Sequence, residues 1–398
     1  MHSGSGTFTM TRWVGWVDRW LAWRDRLLAS PRFQRRAAAF SLTRPVARRH
    51  ARELFDLVAG FVYSQVLLAC VQLRLFDLLA EGPQTLQPLA TRLGLTPDAA
   101  QRLLDAAVAL RLVEHRGEGR YGLGELGAPM VGNAAVEAMV EHHVALYADL
   151  ADPVALLRAS PDERRGNALA RYWAYDAATQ GGDAPDPRVA TYSTLMAASQ
   201  PLVADEILDG YALHGHRCLL DVGGGDGRFL VSAAQRVPSL RLMLVDLPAV
   251  VERARLRFAE AGIATRASAY GGSFLTDALP LGADIASLVR VIHDHDDTAA
   301  MTILRAVHAA LPPGGTLLLA EPMACTRGAE AMGDAYFGVY LWAMGRGRPR
   351  SAETLATMLK SAGFDAVRSI ATRVPLQTQL LVARRDGENP VAFDVNPH

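Results

Sequence analysis

The sequence predicts an α/β protein: a C-terminal domain built on a mostly parallel sheet, preceded by a mainly helical domain of winged-helix type. Three observations predict it. From residue 217 onward, short apolar runs of strand length alternate with helical segments, the pattern of parallel strands joined by crossover helices. Two late apolar runs stand too close together to be parallel neighbours, because a parallel pair needs a long crossover. Before them, residues 51–132 read as helices followed by a glycine-punctuated hairpin. A chain of 398 residues has room for two or three domains.

Residues 1–50 form a basic extension. Residues 1–60 carry eleven arginines against Asp18, Asp25, Glu53 and Asp56, an excess of +7 in a chain of zero net charge. Zero net charge gives no whole-molecule argument for nucleic-acid binding. The stretch "WVGWVDRWLAWRDRLL" (13–28) holds four of the six tryptophans. At about 100° per residue, Trp13, Trp16, Trp20, Trp23 and Leu27 share one side of a helix, with Arg12, Arg19 and Arg26 along one edge. Two readings stand. The helix packs on its own domain or a partner subunit, or it lies in a membrane interface, where Trp sits at headgroup level and Arg meets anionic lipid. No signal peptide or membrane span is expected. Arg19, Arg24 and Asp25 break the first apolar stretch, and Gln65, Gln72 and Arg74 break "LVAGFVYSQVLLACVQLRLF" (57–76). That second stretch is expected as a helix buried in a core or a subunit interface. Cys70, Cys218 and Cys325 have no metal-type spacing and are expected to be reduced, buried thiols of a cytoplasmic protein.

"TLQPLATRLGL" (85–95) and "TPDAAQRLLDAAVALRLVEHR" (96–116) read as two helices, the second opened by Thr96 and Pro97. "GEGRYGLGE" (117–125) reads as the wing. This pattern binds DNA in many proteins but also serves as a dimerisation module. The two helices carry only Arg92, Arg102 and Arg111, beside Asp98 and Asp105, so no nucleic-acid partner is expected. Residues 134–213 are helical by apolar spacing, around a loop at 180–187. The strand-length runs are "RCLLDVG" (217–223), "LRLMLVD" (240–246), "ADIASLVR" (283–290) and "GTLLLAEP" (315–322). The late runs "AVRSIATRV" (366–374) and "QTQLLVARR" (377–385) form an antiparallel edge hairpin. Residues 387–398 read as a flexible tail. The expected domains are 1–50, 51–195 and 196–386.

"LLDVGGGDGRFL" (219–230) follows a strand and opens a helix. Glycines let the backbone turn tightly and approach a ligand closely. A dinucleotide turn reads G-x-G-x-x-G. Here Gly223 and Gly225 are followed by Arg228 at the third position, and Asp221 stands two residues ahead. That form suits S-adenosylmethionine better than a pyrophosphate, because its amino-acid moiety brings an ammonium for Asp221 and no phosphates. Asp246 ends the next strand, where a carboxylate can accept both ribose hydroxyls. "VRVIHDHDDTAAMTIL" (289–304) places His293 just past a strand, and the carboxyl ends of strands face the ligand crevice in open α/β sheets. A neutral imidazole there can act as general base, with Glu321 at the next strand end to hold its other nitrogen. Asp296 and Asp297 suit helix capping. A metal at "HDHDD" is not expected, because five adjacent residues cannot all converge on one ion.

In this order and spacing, "LDVGGGDGRF", "VDLP", "GGSF", "VIHDHDD" and "AEPM" resemble the class I S-adenosylmethionine-dependent O-methyltransferases of the plant caffeic-acid type and their bacterial relatives. The resemblance covers roughly residues 51–385. It implies a Rossmann-like domain with a seven-stranded sheet, a dimerisation domain and a homodimer. It implies that His293 takes the proton from a substrate hydroxyl while the oxygen attacks the sulfonium methyl, leaving S-adenosyl-L-homocysteine. Asp294 stands beside that base and Glu321 orients it. Cofactor contacts are implied for Asp221, Gly223, Gly225, Asp246, Leu247, Ser273, Phe274 and Arg290, with no metal. Three positions depart from the family. Ser273 replaces an acid, although serine can still accept from an adenine amine. His295 replaces a tryptophan. Pro349, in "GRGRPRS" (345–351), replaces a second base-orienting glutamate.

The N-terminal segment and "AMGRGRPRS" also resemble the members from purple photosynthetic bacteria that methylate the tertiary 1-hydroxyl of acyclic carotenoids. That implies a hydrophobic substrate, which gives a motive for the membrane reading of residues 12–28, on the cytoplasmic face of the photosynthetic membrane, while the packing reading stands beside it. Phe337, Tyr340 and Met344 share one face of "DAYFGVYLWAM" (334–344); such a stripe is usually plain core, and the alternative is that it lines the substrate pocket with Trp173 and Met196. The alternatives are a same-family enzyme acting on another apolar pigment or an aromatic polyketide hydroxyl, a winged-helix regulator, and a nicotinamide oxidoreductase, against which Arg228 counts.

Overall fold

In a computed structural model, residues 7–172, 203–375 and 378–386 are described, and contacts divide the chain into two units, Met1–Val131 and Gly132–His398. The first unit opens with α1 (Thr7–Leu28), α2 (Pro31–Ala39) and α3 (Arg44–Gln72). α3 runs through the expected boundary at residue 50. Its last turns are buried through Leu68, Cys70 and Val71, while Leu54, Phe55, Leu57, Val58 and Phe61 are exposed. By length and composition alone, α3 would suffice to cross a membrane. Trp16, Trp20 and Trp23 of α1 are also exposed, Trp16 at 73%. Arg24 lies over the Trp20 ring at 5.9 Å and pairs with Asp25.

The winged-helix part follows as α4 (Leu75–Ala80), β1 (Gln84–Thr85), α5 (Leu86–Leu93), α6 (Pro97–Ala109), β2 (Val113–Arg116) and β3 (Arg120–Leu123). The Thr96 side chain caps α6 by accepting from the Ala99 N–H at 3.3 Å. The second helix ends at Ala109, not at 116. Arg111 takes a left-handed φ of 61°, which ends the helix, and Val113–Arg116 becomes the first wing strand, antiparallel to β3. The three arginines of these helices are engaged: Arg92 forks onto Glu81 at 2.7 Å, Arg102 pairs with Asp98 at 3.1 Å, and Arg111 pairs with Glu125.

The second unit begins with α7 (Ala134–Asp149), α8 (Pro153–Arg158), α9 (Pro161–Arg165) and α10 (Ala168–Tyr172). Within this unit, Leu146, Leu156 and Leu169 pack against Tyr340, Leu341 and Met344. The expected boundary at 195/196 lies outside the described residues. A helix over 203–210, α11, precedes the sheet. Then come β4 (Cys218–Val222), α12 (Arg228–Arg236), β5 (Arg241–Asp246), α13 (Pro248–Glu260), β6 (Ala267–Gly271), β7 (Ile285–Val289), α14 (Asp297–Ala310) and β8 (Thr316–Glu321). α15 (Phe337–Met344), α16 (Ala352–Ser361), β9 (Phe364–Ile370) and β10 (Gln379–Arg385) complete it.

The seven strands lie in the order β6-β5-β4-β7-β8-β10-β9, parallel except for β10, which is antiparallel to both neighbours. Successive strand residues face opposite sides. Leu219 therefore packs with Ile207, Phe229 and Phe258 on one face, and Leu220 with Ile303, Leu304 and Leu359 on the other. Each such side chain, once buried, contributes roughly 1.5–3 kcal/mol. β6 matches no apolar run because it is an edge strand: Tyr270 is 42% exposed. The hairpin strands are shorter than their runs, so residues 371–378 connect them. Cys70 and Cys218 are buried as expected, and burial pushes the Cys70 thiol up to about 12. Cys325 is exposed, contrary to expectation, because it sits in the loop after β8 with its N–H on Asp334.

Candidate active site

The strand order reverses between β4 and β7, and such a switch point opens a crevice at the carboxyl ends of the strands. Asp221 and the glycine turn stand there on β4, Asp246 on β5, the segment 290–293 after β7 and Glu321 on β8.

The glycine turn is held on three sides. Gly223 has φ +71°, and a Cβ there would lie 2.8 Å from Val291 Cγ2, so only glycine fits. The Gly225 N–H donates to Asp246 Oδ2 at 2.8 Å, and the Leu247 N–H donates to Oδ1 at 2.7 Å. Arg257 of α13 braces Asp226 at 2.7 Å. Asp221 is 1% exposed beneath the turn. Its Oδ1 accepts from the Ser287 hydroxyl at 2.7 Å, whereas Oδ2 has no partner. Burial pushes the Asp221 carboxyl up to about 7, opposed by the Ser287 bond. Burial likewise pushes Asp246 up to about 6, against the two backbone N–H groups. A glycine-rich turn over a buried, high-pKa carboxyl with an unpartnered oxygen fits an adenosyl ligand with a cationic amino-acid end better than a pyrophosphate, whose anionic charge the Asp221 carboxylate would oppose.

Phe274 lies beside this turn, its ring 3.5 Å from where a Gly223 Cβ would be and edge-on to His295 at 5.7 Å. The Ser273 hydroxyl accepts from the Leu275 N–H at 3.4 Å, and the Ser273 N–H donates to Asp277. Arg290 adopts a left-handed φ of 57° with its N–H on the Ala320 carbonyl.

His293 is 6% exposed on a 3-10 turn, Ile292–Asp294. Its Nδ1 meets Glu321 Oε2, and its Nε2 lies 3.2 Å from Asp294 Oδ1. The other Glu321 oxygen accepts from the N–H groups of Val291 and Ile292 at 2.9 and 2.6 Å, so one buried carboxylate fixes both turn and ring. Burial disfavours the imidazolium, but Asp294 and Glu321 outweigh burial and the opposing Arg290, and the His293 pKa stands above its ordinary value. Asp296 caps α14 through the Ala299 N–H at 2.9 Å. Asp297 instead binds Arg348 and Arg350. Among the described residues, no three His, Cys, Asp or Glu side chains are grouped to hold a metal ion.

The expected pocket stripe divides. Phe337 faces the His293 ring at 5.8 Å. Tyr340 and Met344 are buried in the packing of α7, α8 and α10. Trp173 and Met196 lie outside the described residues. Two histidines of α7, missed in the sequence, join this wall. The His142 Nδ1–H donates to the Met139 carbonyl at 2.7 Å, which leaves Nε2 to accept from the Tyr340 hydroxyl at 3.0 Å. His143 Nε2 lies 2.6 Å from the Tyr336 hydroxyl, and burial pushes its pKa down to about 4. The adjacent pair "HH" on a largely apolar helix was the available signal.

Comparison with known proteins agrees with this geometry. The O-methyltransferase domain family matches residues 147–365, and the O-methyltransferase dimerisation domain matches residues 55–132. The chain belongs to the O-methyltransferase family. It is 44% identical to the demethylspheroidene O-methyltransferase of Cereibacter sphaeroides, over 92% of this chain and 95% of that one. It is 42% identical to the enzyme of the same name from Rhodobacter capsulatus, over 86% and 84%. The crystal structure of the S-adenosylmethionine-dependent methyltransferase SibL superposes with a TM-score of 0.70 at 26% identity, covering 84% of this chain and 99% of that one. The exposed apolar face of α3, from Phe55 to Phe61, falls within the dimerisation match.

Proposed function

We propose that this O-methyltransferase methylates the tertiary 1-hydroxyl of an acyclic carotenoid, with His293 as general base. The observation that carries the substrate is the 44% identity, across nearly the whole of both chains, with a relative named for demethylspheroidene. S-adenosylmethionine, when bound, supplies a sulfonium methyl open to attack by an oxygen nucleophile. Asp246 holds the ribose hydroxyls, Asp221 and the turn it supports take the amino-acid end, and Leu247, Ser273, Phe274 and Arg290 surround the rest. A tertiary alcohol is a very weak acid, so its proton must leave as the C–O bond forms. His293 Nε2 receives that proton, with the hydroxyl in the place where Asp294 now stands. Glu321 keeps the other proton on Nδ1. Two subunits pair through the exposed face of α3. The test is incubation with labelled S-adenosylmethionine and a mixture of hydroxycarotenoids and phenols; a labelled carotenoid ether is expected, and label confined to phenols would refute the substrate.

Asp246→Ala is expected to weaken S-adenosylhomocysteine binding by roughly tenfold or more, since hydrogen bonds to a charged group contribute about 1.5–3 kcal/mol. The raised carboxyls add a proton signature. Burial raises both carboxyls, Asp221 to about 7 and Asp246 to about 6, so a ligand that binds their anions should expel protons near neutral pH. Calorimetry at pH 6.5 in buffers of different ionisation enthalpy should show proton release on binding, reduced in Asp246→Ala.

We place the enzyme peripherally on the cytoplasmic face of the membrane that holds its water-insoluble substrate. Exposed Trp16, Trp20 and Trp23 suit the headgroup level, and each arginine near an anionic surface adds about 1 kcal/mol. Full-length protein should float with anionic liposomes and a variant lacking residues 1–30 should not. Equal flotation of the two would leave the tryptophans as packing residues.

A further inference from the structure

Pro349 stands where plant members of the family place a second carboxylate on the base, and its ring offers no acceptor to an imidazole. The neighbouring residues hold the histidine turn in another way. Arg350, 4% exposed, donates from Nη1 to the Ile292 carbonyl at 2.9 Å and from Nη2 to the His295 carbonyl at 2.8 Å. Between them, the Arg348 backbone N–H donates to the His293 carbonyl at 2.9 Å. The loop therefore takes the carbonyl of His293 itself and one on either side. Gly347, at φ +77°, permits the approach, because a Cβ there would run into the His293 carbonyl oxygen. The loop is also tied to the end of β8 that carries Glu321: the Ala324 N–H donates to the Arg350 carbonyl at 3.0 Å, and Ser351 bridges to Ala324. Asp297 Oδ1 accepts from Arg350 Nε and Nη2 at 2.9 and 2.8 Å, which balances the buried charge.

We propose that Arg350 is a positioning residue for His293, and that residues 347–350 form a clamp that fixes the base through its backbone carbonyls. The proposal rests on His293 being the base. A guanidinium presents its donors in a rigid fork. The ammonium of a lysine, on a flexible stem, cannot keep two carbonyls and a carboxylate in the same register. Once the clamp loosens, the imidazole drifts from Glu321 and from the reacting hydroxyl. The charged groups that face His293 are Asp294, Glu321 and Arg290; the clamp acts on the Glu321 contact through the backbone that carries the ring.

The test uses full-length Arg350→Lys and Asp297→Asn, each measured for turnover, S-adenosylhomocysteine affinity and the titration of the His293 imidazole by NMR. Arg350→Lys should lower turnover on the order of tenfold to a hundredfold, as a small misplacement of a reacting group does, with cofactor affinity retained. It should also move the His293 titration down toward the ordinary imidazole value. Asp297→Asn should do the same to a smaller extent, and its half-exposed position keeps a folded variant available if Arg350→Lys does not fold. A His293 titration unmoved in the folded variants overturns the clamp, as does unchanged turnover when His293→Ala is inactive. If His293→Ala keeps its turnover, the base reading fails, and the NMR titration alone decides the clamp.

Discussion

Replacing His293 with alanine should cut turnover on the order of 10²–10⁴, the range for removing a positioned general base, while S-adenosylhomocysteine binds as before. The geometry separates the two effects. The ring is held by Glu321 on β8 and faces Phe337, whereas the proposed adenosyl cradle stands at the ends of β4 and β5. The pH profile gives a second, independent reading. On the proposed mechanism the base works only when neutral, and the His293 pKa is raised by Asp294 and Glu321 against the effect of burial. The wild-type rate should therefore fall as pH drops through a value above the ordinary histidine pKa of about 6.5. By the same shift, protonated His293 stabilises the fold below that ordinary value, and the contribution is lost as pH rises through the folded one. A His293→Ala variant with wild-type turnover and the same acid limb would show that the base lies elsewhere.

The clearest strands in the sequence were those whose residues are buried on both sides. β4, β7 and β8 are buried along their whole length and stand out as unbroken apolar runs, so the residues at their ends, Asp221, His293 and Glu321, were readable with them. β6 lacks a buried partner on one edge, and its "ASAYG" carries no apolar signal. α6 was read too long because "RLVEHR" continues a helical pattern. The left-handed backbone at Arg111 that stops it is imposed by packing against the wing: a Cβ on Gly124 would collide with the Arg111 carbonyl. The missed site residues have a common cause. Arg350 acts on backbone carbonyls more than fifty residues away in sequence, and His142 acts on Tyr340. No periodicity or motif spacing encodes such pairs. The stripe on α15 spans two environments: Phe337 faces the His293 ring, while Met344 packs with the helices before the sheet.

Glu321→Gln should be nearly as damaging as loss of the histidine, with the fold intact. Glu321 accepts three donors: the N–H groups of Val291 and Ile292 on one oxygen and the His293 Nδ1–H on the other. A glutamine in the same rotamer has one oxygen and one NH₂ group. Turning the NH₂ toward Val291 and Ile292 would set it against two buried N–H donors, at a cost of about 1–3 kcal/mol for each group left unsatisfied. The amide therefore keeps its oxygen on the backbone and presents NH₂ to the ring. Nδ1 must then accept, and the imidazole proton moves to Nε2, the nitrogen that should receive the substrate proton. The variant holds its turn but carries the wrong tautomer, and turnover should fall on the order of 10²–10⁴. Loss of the anion also removes one of the two charges that raise the His293 pKa, so any residual activity should show its acid limb at lower pH. Nitrogen-15 NMR of the histidine ring reads the tautomer directly. A proton still on Nδ1 in Glu321→Gln, together with wild-type turnover, would mean that Glu321 holds only the backbone turn and leaves the base untouched.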